Sequence, residues 1–481
     1  MPDALVKNLE ALNDDNFPNL LKNYSAVYKG GKAFRDRITE FMVPNPNEPR
    51  ENYDNRVDKS YYTNYTGPIL DFLVSYTLSD PPTVEGMGEL GKQFLPNVDR
   101  AGTGFTDFWS QALLDCLVYQ RSWVMVKLPD SNGEVYADAQ AEREAGARNA
   151  YLSRIDPESV RDWALNEDGK LKWVLFKTIV SERDNPPEPR TYAHVWTLVT
   201  NTEIVRWEWV PLNNQNEPSL TDYARETARV QHGYGQIPII LTKVPYGLWA
   251  MSKLYETGIA SFRRDNALSW ALDRSAFAMP VIKREWTMQN LTLGAGYYIP
   301  LGPDDDISWF EPNGSSYEAL ANNARRLVEE LYRLVQLMAL SAHNDATRSR
   351  MSGESKKQDF HGLHVILTRY AEIIRKSMVS ALSMITNVYD SSPSDDNKIT
   401  VSGMVSWSKD DLMVFIEKAL LSKSWVKSET FKKVVAKQIA DRMLKSEVST
   451  DDLSQINKEL DSADWSDEPL LQTGDVVDDG E

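Results

Sequence analysis

Cysteine is nearly absent from this chain. Cys116 is the single thiol among 481 residues, so no intrachain disulfide can form, and a reducing compartment fits. Long apolar runs are absent as well. The longest uncharged helical stretch, residues 377–389, is too short to span a bilayer and carries Ser, Thr and Asn. The opening MPDALVKNLEALNDDN has no basic segment followed by an apolar one, so no secretory signal is expected. Positive charge is in deficit. The chain has 53 Lys and Arg against 70 Asp and Glu, a net charge of −17. Proteins that grip nucleic acid by neutralising phosphates normally carry a basic surplus, so the balance argues against tight nonspecific binding over a broad surface. A surface that DNA slides past remains open, because repulsion prevents sticking.

Catalytic signatures are also missing. There is no G-x-x-x-x-G-K-[ST]; the nearest fragment, Tyr28-Lys29-Gly30-Gly31-Lys32-Ala33, lacks the spacing that cradles a phosphate and reads as a loop. No Ser or Cys triad is supported. Cys116 falls on an apolar helical face, where a free thiol acts as a small hydrophobe. His194 and His232 stand alone, and His194 lies inside a strand pattern. His361 and His364 are one turn apart beside Asp359, a spacing that can share a metal; without an HExxH context, a polar helix start is the preferred reading. Asp304, Asp305 and Asp306 form a carboxylate run able to hold a divalent cation, although a solvated loop is the commoner outcome. No cofactor is expected.

What is present is a chain long enough for two or three packed units, with 42% apolar residues. Residues 1–55 read as polar and helical, broken at Gly30-Gly31 and by an extended run at 44–49. Residues 61–79 form a helix, with Pro68 in its first turn and Ile69, Phe72, Leu73 and Tyr76 at helical spacing. A second helix over 104–119 gathers Phe105, Phe108, Trp109, Leu113 and Cys116. Strands are expected at 122–128, 151–155, 160–164, 171–180, 192–200, 203–210 and 237–244, from their density of Trp, Val, Ile and Thr. Residues 137–150 read as an acidic helix or loop, and 185–189 as a Pro-rich turn.

A different regime follows. Residues 251–279 form a long helix stopped by Pro280. The Pro- and Gly-punctuated stretch 280–312 has short strand candidates at 281–283, 297–299 and 308–310. A capping box at Ser315-Ser316-Tyr317-Glu318 starts a helix reaching 340, with a stripe of Leu320, Leu327, Leu331, Leu334 and Met338. Residues 341–357, SAHNDATRSRMSGESKK, make a polar hinge of local positive charge. It can touch a phosphate backbone lightly; taken alone, an ordinary interhelical loop is the simpler reading. A third long helix covers 358–389. A strand at 399–407, helices within 408–460, and a tail at 461–481 with eight acidic residues and no Lys or Arg complete the chain.

The order of these elements resembles the portal proteins of tailed bacteriophages, over roughly residues 61–460. YYTNYTGPILDFLVSYTLSDPP is similar to that family's early helix and its polar-Pro stop. GQIPIILTKVPYG, then a long helix ending AFAMPVI, resembles the entry to a first stem helix and the exit into the clip. GAGYYIPLGPDDDISWFEPNG resembles the clip returning to the second stem helix. MSGESKKQDF is similar to the Ser-Gly segment at the start of the long helix after the tunnel loop, with Glu354 and Ser355 here in place of small Ala residues.

The resemblance implies an α+β portal-type fold. Residues 1–250 would be the wing, 251–279 and 316–340 the stem helices, and 280–315 the clip. Residues 341–357 would be the tunnel loop, 358–407 the long helix and wing strand, 408–460 the crown, and 461–481 a disordered tail. It implies a homo-oligomeric ring, commonly of twelve subunits, at a unique capsid vertex of the virion, assembled in the host cytoplasm. Double-stranded DNA would pass through its channel, driven by a separate large terminase. A head–tail adaptor and the major capsid and scaffolding proteins would be further partners, with no membrane and no enzymatic activity. Channel-facing candidates are then His343, Asn344, Arg348, Arg350, Lys356 and Lys357. Clip docking candidates are Lys283, Arg284, Trp286, Asp304, Asp305 and Asp306. Another virion connector or capsid-associated protein, and a metal-dependent nuclease built on Asp304–Asp306, are the alternatives.

Overall fold

The computed structural model describes residues 3–129, 139–182, 191–210, 217–275, 279–283, 306–310, 315–335, 353–389, 399–404, 429–444 and 450–463. The chain is α+β and divides into two compact units, Met1–Ser402 and Gly403–Glu481.

The first unit opens with helices α1 (Val6–Leu9), α2 (Pro18–Lys29), α3 (Gly31–Arg35), α4 (Ile38–Phe41), α5 (Arg50–Lys59), α6 (Thr66–Thr77), α7 (Gly88–Phe94) and α8 (Phe105–Tyr119). The fragment read as a loop at 28–33 is a helix–break–helix junction. Gly30, at φ 62°, separates α2 from α3. Asn64 buttresses it: its Nδ2 donates to Tyr28 O at 2.7 Å and its Oδ1 accepts from Gly67 N at 2.8 Å. A Cβ at Gly67 would lie 2.7 Å from Tyr28 O, so only glycine permits this approach of α6 to α2. In α8 the five residues expected on one face are all buried, together with Ala112, Leu117 and Val118.

The strands are β1 (Ala4–Leu5), β2 (Thr83–Glu85), β3 (Arg121–Lys127), β4 (Tyr151–Ile155), β5 (Val160–Leu165), β6 (Leu171–Glu182), β7 (Thr191–Thr200), β8 (Glu203–Trp209), β9 (Tyr223–Gln231) and β10 (Ile239–Lys243). A short helix, α9 (Ala139–Glu144), precedes β4. Six of these strands form an antiparallel sheet in the order β1-β9-β8-β7-β6-β5, and three form a second sheet, β10-β3-β4. Alternation gives the larger sheet two apolar faces. One packs Val174 and Val199 against Trp123 and Met125 of β3. The other packs Leu175, Trp196, Trp209 and Ala224 against Val6 and Leu9.

The N-terminal segment straps that second face from edge to edge. β1 pairs with β9 at one side. Glu10 then accepts from Lys177 at 2.5 Å and Arg161 at 3.1 Å. Asn13 and Asn16 finish at the far edge, donating to Trp163 O and Val160 O, each at 2.8 Å. Those two amides occupy carbonyls that an exposed edge strand would leave open.

The long helices follow: α10 (Ala250–Ser275), α11 (Ser315–Leu334) and α12 (Gly353–Tyr389). Between α10 and α11 stand β11 (Met279–Lys283) and β12 (Asp306–Phe310), which pair antiparallel. β13 (Thr400–Ser402) pairs with β2, a shorter strand than the 399–407 span expected. The second unit contributes α13 (Glu429–Leu444) and α14 (Thr450–Ser462) among its described residues. Lys433 and Lys437 of α13 both reach Asp461 of α14, at 3.1 and 2.7 Å, and hold its carboxyl below the usual range.

Candidate docking and channel elements

α10 has an anchored base and a less buried end. Met251, Leu254, Ile259 and Phe262 recur at helical spacing and are buried. Phe262 meets Phe34 edge-on at 4.9 Å, and Phe34 stacks on Tyr62 at 3.9 Å. Arg263 Nε donates to Phe41 O at 2.7 Å. Asn266 closes the anchored part: its Nδ2 donates to Tyr61 O at 2.9 Å and its Oδ1 accepts from Tyr61 N at 3.0 Å. Beyond Asn266, none of the described side chains of α10 is buried, and Leu272 is 47% exposed. Trp270 receives Lys59 over its ring at 5.8 Å, a cation–π contact at the boundary.

α11 packs along α10. Leu331 of the expected stripe is buried; Leu320, Leu327 and Leu334 are half-buried, and Met338 lies outside the described residues. Arg325, Arg326 and Arg333 are exposed, and Arg333 pairs with Glu330 one turn away. At 26 and 20 residues, the two helices extend ~39 and ~30 Å. Their shared end is bridged by the β11–β12 ribbon, whose register sets Lys283 opposite Asp306 and Met279 opposite Phe310. Asp306 therefore starts a strand and does not belong to a loop. Arg284, Trp286, Asp304, Asp305 and the strand expected at 297–299 lie outside the described residues, as does the turn at 185–189.

α12 starts at Gly353, five residues before the sequence reading placed it, so Lys356 and Lys357 lie on a helix. His343, Asn344, Arg348 and Arg350 lie outside the described residues. The helix has 37 residues and extends ~56 Å. Leu363, Leu367, Tyr370, Ile374, Met378, Ala381 and Ile385 are buried at steps of three or four. That seam packs on α6, α8, β3 and β10. Polar groups fix its register. Tyr370 Oη donates to Leu248 O at 2.6 Å, and burial raises its hydroxyl pKa. Thr242 Oγ1 donates to Ser377 Oγ at 2.7 Å, while Thr242 O faces the Cys116 thiol at 3.6 Å. Burial pushes that thiol well above its ordinary range, so Cys116 stays a protonated core group. The C-terminal end of α12 is met by two arginines. Arg143 Nε donates to Tyr389 O at 3.0 Å and Arg148 Nη1 to Val388 O at 3.5 Å, cations placed against the negative helix terminus. Nothing in the sequence marked these two residues, because the pairing spans 246 and 240 positions.

The histidines take structural places. His194 is buried in β7, with its ring edge-on to Trp209 at 5.5 Å. His232 Nε2 lies 2.9 Å from Thr200 O. His364 is exposed on α12, and the side chains of Asp359 and His361 are not among those described. Among the described residues no group of three His, Cys, Asp or Glu is placed to hold a metal, and no helix is long and apolar enough to cross a membrane.

Neither a protein-family model nor a curated protein matches the chain. Among solved structures, a chain described as belonging to the neck of an empty GTA particle, computed with C6 symmetry, is similar at 12% identity and a TM-score of 0.45. The alignment covers 78% of this chain and 90% of that one. A likeness of that degree carries no functional argument, which rests instead on the elements above.

Proposed function

We propose that this chain is a portal-type subunit. Copies of it form a closed ring at one vertex of a virus capsid, and the ring is a passive conduit for double-stranded DNA during packaging and ejection. The observation that supports this most is the arrangement of α10, α11 and α12. Of the two ribbon-linked helices, α10 is anchored through Phe262, Arg263 and Asn266 and has no buried described side chain beyond Asn266. A helix of 37 residues then runs back along the body. Helices that expose apolar side chains beyond their anchored part gain stability from neighbouring copies. Of the sequence segments that resemble portal proteins, the long helix leading to AFAMPVI and the start of MSGESKKQDF's helix fall on α10 and α12, and the acidic balance suits a channel past which DNA must slide.

In this reading the ribbon end, with Lys283, Arg284, Trp286 and Asp304 to Asp306, docks the terminase and later the head–tail adaptor. The segment 341–357 faces the channel, and the protein does not hydrolyse nucleotides. Native mass measurement on the purified chain is the test. A large closed ring is expected, commonly of twelve copies, and a strict monomer at high concentration would sink the proposal. Replacing Arg348 and Arg350 together by Ala is expected to lower DNA packaging or retention while ring assembly persists. Loss of assembly in that variant would assign the segment to a subunit interface instead.

A further inference from the structure

Among the described residues the six-stranded sheet has an open edge along β9. β1 pairs only with Tyr223 and Ala224, yet β9 continues to Gln231. From Arg225 onward the outer edge of β9 has no strand partner among the described residues. Such an edge offers a row of backbone donors and acceptors. Natural edges are blunted by charge, and on β9 Glu226 and Arg229 lie on one face while Arg225, opposite Glu208, lies on the other. Arg229 sits opposite Val205, on the face covered by the N-terminal strap, and its guanidinium is held by Glu203 at 2.7 Å and Glu226 at 2.9 Å. Strand alternation turns Ala228 and Val230 to the opposite face, and the irregularity between Arg206 and Trp207 brings Glu226 round to the face of Arg229.

That face borders a groove of about 940 Å³ between β9, the end of β3, α9 and the last turn of α12. Its charged lining is Lys127, Arg148 and Arg206 against Glu142. Glu142 is engaged by Arg148 at 2.5 Å, and Arg206 is exposed. Among the described residues the charged lining is therefore net positive, in a chain of net charge −17. Tyr151 and Tyr234 add aromatic surface.

We propose that this groove docks an extended acidic segment of a partner polypeptide, which adds as a strand to the open edge of β9. Main-chain hydrogen bonds to β9 would supply affinity, and alternate side chains would enter the groove. A carboxylate on the added strand opposite Ala228 is two strand spacings from Arg206, ~10 Å between backbones, which the combined side chains span. The site needs only the folded chain and is independent of ring formation.

The test uses the full-length protein and a short fluorescein-labelled peptide alternating Glu and Thr, read by anisotropy. Saturable binding is expected. It should weaken at least about tenfold for a Lys-for-Glu peptide, for a peptide N-methylated at alternate residues, and for the Arg206→Glu variant. Hydrogen exchange should show new protection on Thr227 to Gln231 when the Glu peptide is bound. Arg206 is exposed, so this variant should keep the parent's circular dichroism. Failure of the Glu peptide to bind, equal affinity of the N-methylated peptide, or unchanged affinity in Arg206→Glu overturns the proposal. Displacement of the peptide by a double-stranded DNA oligonucleotide at matched charge also overturns it, since the groove would then be a general polyanion site.

Discussion

The six-stranded sheet and the α10–α11 pair meet the same requirement differently. Both carry apolar faces that must leave water. The sheet covers its faces within its own chain, with Val6 and Leu9 on one side and Trp123 and Met125 on the other. The helix pair does so only at its base. Past Asn266 the described part of α10 has no buried side chain. Stability is therefore concentrated in the body, while the far end of the pair keeps surface for other molecules.

The comparison breaks most directly in the sheet. Trp196 is fully buried under the strap, and Trp196→Ala is expected to cost about 3–5 kcal/mol of unfolding free energy, read from a urea titration. A loss near zero would show that the strap does not seal this face. At the boundary, Asn266→Ala leaves the Tyr61 N–H and C=O without their partner. A loss of about 1–3 kcal/mol is expected, with faster hydrogen exchange at the Tyr61 amide; unchanged exchange would move the clamp elsewhere.

A smaller effect is expected within the helical layer, from Glu48. Arg56 binds this carboxylate at 2.7 Å and holds its pKa below the ordinary 4.5. A depressed folded value contributes stability above pH 4.5, and that stability is lost as pH falls through the folded value. Wild type should thus exceed Glu48→Gln in stability near neutrality, and the gap should close under acid. A gap that widens with acid would reverse the sign. The smallest effect on folding belongs to the far end of α10. Leu272→Ser should change unfolding by no more than about 0.5 kcal/mol, yet shift native mass toward smaller species. An unchanged native mass would remove Leu272 from any interface.

Much of the body was legible in the sequence because its local and tertiary signals agree. The strand at Tyr151–Ile155 lies where the sequence put it, and the other strands of the two sheets that the sequence marked fall within a few residues. β9 was missed. Its sequence, YARETARVQ, has little β-branched or aromatic content; pairing with β8 makes it a strand. The start of α12 was set too late because Gly353 and the polar residues after it suggest a hinge, whereas they form the first turns of a helix stabilised further along by its buried seam. Of the candidate residues, Lys283 and Asp306 are brought opposite one another and Lys356 and Lys357 fall on α12. The others lie beyond the described residues.

The sequence by itself determined the α+β class, the alternation that gives the sheet its faces, and the three long helices. These follow from residue periodicity, which acts over a few positions. Only the tertiary structure decided what covers each face. The strap's reach from β9 to β5, the arginines at the end of α12, the Asn266 clamp and the open edge of β9 all join residues far apart in the chain. No local pattern encodes such pairings, because hydrogen bonds and packing are satisfied by whatever the fold brings within reach.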